Sequence, residues 1–214
     1  MKLFFIILIL AFYFGSCREN TRKPIVVREL PLGFVREIPS WFAHNPQLQA
    51  NFFEIRDKLN LVALENGFDS IYIRIWFDCL GGQGNKIVTF QYSNSKWKIN
   101  LYSYNIVSKQ GIILDIVHIR KERLSPVSEW SSLVKNMFEN QVPDLPDYST
   151  YGSDYTIPTD ATGVTVEVAT FTQYRVYSYP ALSLNDTISS GPAKLERFIK
   201  ELEKEFDFHS PCQR

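Results

Sequence analysis

The stretch Ile71-Tyr72-Ile73-Arg74-Ile75-Trp76-Phe77 decides how the chain is read. Its period of two predicts a strand, with Ile71, Ile73, Ile75 and Phe77 on the core side and Tyr72, Arg74 and Trp76 on the other. Downstream, Gly81-Gly82-Gln83-Gly84-Asn85 turns the chain into Ile87 to Tyr92, and Ser93-Asn94-Ser95 turns it again into Trp97 to Tyr104. Gly111 then precedes a fourth strand, Ile112 to Arg120, which completes an antiparallel meander. After a long loop at 141–162, Val164, Val166 and Val168 mark one more strand and Tyr174 to Tyr179 another.

Three helices flank these strands. Asn45-Pro46 supplies an N-cap and a proline at the first helical position, and Leu48, Phe52, Ile55, Leu59 and Val62 recur at helical spacing before Asn66-Gly67. Ser125-Pro126 opens a second helix with Trp130, Leu133, Val134, Met137 and Phe138 as its inward stripe. A third follows Gly191-Pro192, with Leu195, Phe198, Ile199, Leu202 and Phe206 facing inward. Hairpins rather than crossovers join most strands, so the expected fold is α+β: one mainly antiparallel sheet of about six strands with three helices.

Length and composition bound the rest. At 214 residues, 45% hydrophobic and 21% charged, the chain fits one core and excludes a collagen-like repeat or a disordered tail. Its 23 basic and 23 acidic side chains balance, so the global field gives no reason to expect nucleic acid as a partner.

The first residues read as an export signal. Lys2 precedes an unbroken apolar run, Leu3 to Phe14, which as a helix spans about 18 Å of a hydrocarbon layer of roughly 30 Å and is too short to remain as a span. Small residues follow at Gly15 and Ser16, and then Cys17. Phe14-Gly15-Ser16-Cys17 resembles the lipobox of bacterial lipoproteins, with Phe14 where that family usually has an aliphatic residue. The resemblance implies that Cys17 is acylated and becomes the new N-terminus, with three acyl chains, enough for stable attachment. The expected organisation is a signal peptide at 1–16, a lipid-anchored tether at 17–44 carrying prolines 24, 31 and 39, and a single globular domain at 45–214. An uncleaved anchor or an ordinary secreted protein is the alternative. Export leaves Cys79 and Cys212 as an even pair, for which a disulfide and two free thiols are equally compatible with the sequence.

Chemistry is harder to place. His44, His118 and His209 have no cysteine or second histidine at ligand spacing, so no metal is expected, and no motif points to a cofactor. The glycine-rich turn at 81–84 joins two strands and lacks a phosphate-reaching lysine. No Gly-x-Ser-x-Gly elbow marks Ser153, Ser190 or another serine as a nucleophile. Asp144, Asp147, Asp154 and Asp160 lie in the 141–162 loop, where they could serve acid and base work or simply be solvated.

The most informative candidate is the strand face opposite the aliphatic stripe. Alternation puts Tyr72, Arg74, Trp76, Tyr102 and Tyr104 there, and a three-residue loop pairing Phe171 with Arg175 adds Arg175, Tyr177 and Tyr179, with Glu167 beside them. A two-residue loop would mix the sets. Exposed, this tyrosine, tryptophan and arginine face would suit a protein or a glycan. Covered by the first helix, it would be a second core layer enclosing a charge cluster.

Signal, Cys17, Ile73-Arg74-Ile75-Trp76, Trp97 after a hairpin, and Tyr174-Arg175-Val176-Tyr177-Ser178-Tyr179-Pro180 before a terminal amphipathic helix together resemble the uncharacterised small lipoproteins of Bacteroidota. The resemblance covers most of the body and implies no catalytic residue. The expectation is a non-catalytic protein of the cell envelope, attached by its lipid to the outer membrane on the periplasmic or surface leaflet and binding an unidentified envelope protein or glycan. The alternatives are a small cell-wall or glycan hydrolase using the loop aspartates, and an inhibitor or immunity-type lipoprotein.

Overall fold

The structure is a computed structural model that describes residues 30–77, 84–154, 163–180, 182 and 190–208. Its elements run β1 (Val35–Glu37), α1 (Ser40–Ala43), α2 (Pro46–Lys58), β2 (Ile71–Phe77), β3 (Asn85–Ser93), β4 (Lys96–Lys109), β5 (Ile112–Leu124), α3 (Trp130–Glu139), β6 (Val164–Thr170), β7 (Gln173–Tyr179) and α4 (Gly191–Phe206). The class is the expected one, α+β. One sheet of seven strands is ordered β1-β7-β6-β2-β3-β4-β5, antiparallel except where β1 joins β7 in parallel.

Strand β2 sits at the centre, and every residue from Tyr72 to Phe77 is buried. Ile73, Ile75 and Phe77 join Val88, Phe90, Ile99, Leu101, Val164 and Val166 on the face covered by α3 and α4, through Leu133, Met137, Leu195, Phe198 and Leu202. The opposite face is covered too. Phe42 of α1, with Phe52 and Ile55 of α2, closes over Trp76, Ile87, Tyr102 and Tyr104, and the rings of Phe52 and Trp76 lie 4.3 Å apart. The molecule is therefore a sheet between two helical layers, with a buried cluster on each face and a third, smaller one formed by Leu64, Tyr72, Ala169, Tyr174 and Val176.

Several boundaries differ from the sequence expectation for identifiable reasons. The stretch up to residue 44 packs at Phe42, as its Trp41-Phe42 pair leads one to expect, and the body begins further upstream than that because Val35–Glu37 pairs with β7. Asn45 does cap α2, its side chain accepting from Leu48 N at 3.0 Å. That helix ends at Lys58 rather than continuing through Val62: Asn60 turns left-handed at φ 52°, and Val62 points outward. The second helix starts at Trp130 behind Glu129, not behind Ser125, since β5 runs on to Leu124, and Phe138 lies outside its buried stripe. The 141–162 loop contains 3-10 turns at Val142–Asp144 and Tyr148–Asp154. Cys17, Cys79, Cys212, His209 and Asp160 lie outside the described residues, and so does residues 81–83 of the glycine-rich turn.

The start of α4 is tightly enclosed. Ser190 caps it by accepting from Ala193 N, while the Tyr151 hydroxyl meets the Gly191 N–H at 3.0 Å. A methyl group at Gly191 would collide with the hydroxyls of Tyr179 and Tyr151. Gly191→Ala is therefore expected to cost about 1–3 kcal/mol, since overpacked side chains must leave their positions. A thermal melt should show a Tm several degrees lower; an unchanged Tm would contradict this packing.

Candidate functional site

The predicted aromatic and arginine face is an interior, and its residues fall into two groups on opposite sides of the sheet. The division follows from one turn. Strands β6 and β7 pair Ala169 with Tyr174, Val168 with Arg175 and Val166 with Tyr177, leaving Phe171-Thr172 as a two-residue loop instead of the expected three. Directly opposed residues share a face, so Arg175, Tyr177 and Tyr179 stand with the valines under α3 and α4, away from Tyr72, Arg74, Trp76, Tyr102 and Tyr104.

The first group surrounds a buried ion pair. Arg74 on β2 stands opposite Glu167 on β6, 0% and 1% exposed, with Nη1 donating to Oε2 at 2.8 Å. The same Oε2 accepts from Trp76 Nε1 at 2.8 Å, and Oε1 accepts from the Tyr174 hydroxyl at 2.9 Å. Arg74 Nη2 donates to the Val62 carbonyl at 2.7 Å, and its guanidinium lies 5.6 Å from the ring centres of both Tyr72 and Trp76. The Val62 carbonyl is thus drawn inward as its side chain turns out, which accounts for the early end of α2. Arg74 Nε is buried with no hydrogen-bond partner among the described residues. Removing two charges from water costs several kcal/mol each, and three donors on one carboxylate offset that cost. Tyr102 and Tyr104 lie under α1 and α2 in the same layer, with Lys121 Nζ 5.1 Å from the Tyr102 ring.

The second group fastens the proline-containing loop to β7. Arg175 donates from Nη1 to the Pro143 carbonyl and from Nη2 to that of Leu145, both at 2.9 Å, while its Nε lies 3.2 Å from Glu37. The Tyr177 hydroxyl donates to the Val142 carbonyl at 2.6 Å, and Tyr179 donates to that of Pro146. Alternate residues of one strand therefore grip successive carbonyls of one loop. Proline has an acceptor and no N–H, so a segment with Pro143 and Pro146 suits donors on the strand. Asp147 completes the clasp, accepting from Ser178 N at 2.9 Å, Ser149 N at 3.0 Å and Trp41 Nε1 at 3.2 Å.

These contacts remove the predicted site from solvent. Asp147 is engaged in holding the chain and Asp144 is exposed, while Asp160 and the side chain of Asp154 lie outside the described residues. Groups of three or more metal-ligating side chains are missing among the described residues. His118 is exposed, its Nδ1 3.1 Å from Asn105 Nδ2, and His44 is exposed at the end of α1.

The β4–β5 hairpin, expected from its Gly111 turn, extends beyond the rest of the sheet. Beyond the last β3 pair, Asn85 with Tyr104, residues 105–117 pair only with one another and project as a two-stranded ribbon. Ile106, Ile113 and Ile116 lean on the α2 layer, and Asn51 Nδ2 holds the Gly111 carbonyl at 3.0 Å. Val107, Ile112, Leu114 and Ile119 stay exposed, followed by exposed Arg120, Lys121 and Arg123. Register shifts occur where β5 inserts an extra residue, near His118, which has φ 55°, and at Leu114. The available signal was the cationic run His118-Ile119-Arg120-Lys121-Glu122-Arg123, following a segment too uniformly aliphatic for a half-buried strand.

Two outcomes follow from the buried groups. Arg74→Ala strands the Glu167 carboxylate and is expected to cost about 3–5 kcal/mol, whereas Arg74→Met with Glu167→Gln should cost less because no charge remains unpaired. Urea unfolding of both variants checks the order, and a single variant as stable as the double would contradict it. Burial, first of all, pushes the Tyr174, Tyr177 and Tyr179 hydroxyls well above the ordinary phenol value, Tyr174 further through Glu167. Below about pH 10 both folded and unfolded states keep these protons and stability is unaffected; above it the unfolded state ionises first, so stability falls as pH rises. An absorbance titration should show these phenols ionising only as the fold is lost; three early ionisations in the native protein would contradict their burial.

No protein-family model, no curated relative and no solved structure matches the chain, so its functional reading rests on its own residues.

Proposed function

We propose that this protein is a lipid-anchored lipoprotein of the cell envelope, held at the outer membrane, whose folded body binds a partner without transforming it. The observation that carries the reading is the apolar run Leu3 to Phe14 closed by Gly15-Ser16-Cys17 and followed, from Leu30, by a fully layered domain. Such an order suits a body displayed outside the cytosol on a short lead. Among the described residues no helix is long and apolar enough to cross a membrane.

The body supports binding over chemistry by how it spends its polar groups. Arg74, Glu167, Arg175 and Asp147 have protein partners inside the fold, so Asp147 is not free to serve the hydrolase alternative. Val107, Ile112, Leu114 and Ile119 are exposed on the β4–β5 hairpin, an apolar patch of the kind that contact surfaces use. The face that would have stacked on sugars is interior, so the partner is read as a protein.

Cys17→Ser tests the anchor. In cells fed labelled palmitate, the parent chain is expected to carry label and sediment with membranes, and the variant to lose both. An intact leader with an unmodified Cys17 in the mass spectrum of the parent chain would overturn the reading.

A further inference from the structure

The chain enters its folded body through a corner with two apolar turn tips. Pro31-Leu32-Gly33-Phe34 is closed by the Phe34 N–H donating to the Pro31 carbonyl at 3.1 Å, with Gly33 at φ 82°, the left-handed value that the third residue of a type II turn takes. Leu32 at its tip is 105% exposed. Beside it lies Phe171-Thr172, the two-residue loop between β6 and β7, where Phe171 is 50% exposed. Short polar residues, glycine and proline serve turns because they bond, relax or preset the backbone, and neither leucine nor phenylalanine does so. Their presence at both tips therefore has no explanation within the turns.

The two turns form one end of the sheet. Val35 N donates to the Thr172 carbonyl at 3.0 Å and Phe68 N to that of Thr170 at 2.8 Å, while the Phe34 ring packs so closely on Gly67 that a methyl group there would meet it at 2.8 Å. Strand β1 runs parallel to β7, and Val35 pairs with Gln173, the first residue of β7 after the loop. Residues 30–34 therefore lie beyond the sheet end, on the side of Phe171. Leu30 and Val35 are exposed with them.

The position of this corner selects its occupant. With Cys17 held in lipid, the chain from Cys17 to Leu30 reaches at most about 47 Å when fully extended, and it joins the body here. These tips are thus the part of the body that the tether draws toward the membrane. Confinement raises their effective concentration at the lipid surface, so a shallow insertion too weak to hold a free protein is enough. A fluid interface also moulds around isolated side chains, whereas a protein partner needs roughly 800 Å² of matched surface. Charge does not oppose a headgroup layer: residues 18–37 carry five basic side chains against three acidic ones, and exposed Lys96 offsets exposed Asp69 at the same end of the sheet.

From these tips and this tether we infer that the corner formed by the 31–34 turn and the β6–β7 loop seats in the membrane that anchors the chain, with Leu32 and Phe171 inserted among the headgroups and upper acyl chains. This rests on the lipid-anchor reading above and names the surface that the body turns to the lipid.

The test puts a photoreactive residue in place of Leu32, of Phe171 or, at the opposite end of the sheet, of Leu114, in the full chain as cells produce it, incubated with mixed vesicles of phosphatidylethanolamine and phosphatidylglycerol. All three side chains are exposed, so the fold does not depend on them. Phospholipid adducts from Leu32 and Phe171 are expected to exceed those from Leu114 about tenfold, since burying one large apolar side chain is worth that factor or more. With the probe kept at Leu32, Phe171→Ser should lower the yield several-fold, because one of the two inserted side chains is gone. Equal yields from the three positions, a yield that Phe171→Ser does not move, or adducts from Leu32 to protein, a second copy of the chain included, overturn the seating. Mass spectrometry of Cys17 on the same samples separates the two readings: a lipidated chain without phospholipid adducts at Leu32 and Phe171 sinks the seating alone, while a chain lacking acyl groups whose tips still label sinks the anchor alone.

Discussion

The structure depends on a charge pair in the middle of its sheet. Arg74 and Glu167 oppose each other on the two central strands β2 and β6, and their burial is tolerable only because Trp76, Tyr174 and the Val62 carbonyl complete most of their hydrogen bonds. Each of those partners comes from a different part of the chain. The pair therefore sets the register of β2 against β6, orients the indole beneath Phe52, and pulls the segment after α2 down across the sheet. A misregistered pairing by one residue would place Arg74 among the aliphatic side chains of the other face, at a cost of several kcal/mol. The cluster thus acts as a lock on register more than as a source of net stability.

The two edges of the sheet are managed differently. At one edge β7 is covered along its length, by β1 over residues 173–175 and then by the loop at 142–147, whose Asp147 accepts the Ser178 N–H. Arg175, Tyr177 and Tyr179 hold that loop by its carbonyls, so the cover is fixed and does not depend on secondary structure of its own. At the other edge β5 has only bulges and charges to discourage pairing. These block an added strand without covering the edge.

Much of the fold was legible locally. The alternation of residues 71–77 produced a strand with the expected two faces, Asn45-Pro46 opened a helix as its cap chemistry requires, a further helix formed at Gly191-Pro192, and the glycine and asparagine turns separated the meander. The failures share a cause. Val62 continues a helical pattern that the chain abandons to reach Arg74, and Val35–Glu37 looks like tether until β7 offers it a free edge. The aromatic face was legible as a face. Its exposure was not, because a stripe of tyrosine, tryptophan and arginine looks the same whether water or Phe42 and Phe52 lie above it.

Sequence by itself therefore determined the period of most elements, the two-sidedness of β2, the Asn45 cap, and the amphipathic helices, since these depend on neighbours within a few residues. Only the tertiary structure decided that α1 and α2 close the second face, that a two-residue turn sends Tyr177 and Tyr179 to the opposite side from Trp76, and that the β4–β5 ribbon remains uncovered. The physical reason is that burial belongs to pairs of surfaces and not to either one. A residue's pattern fixes which way it points, and what it then meets is set by chain a hundred residues away.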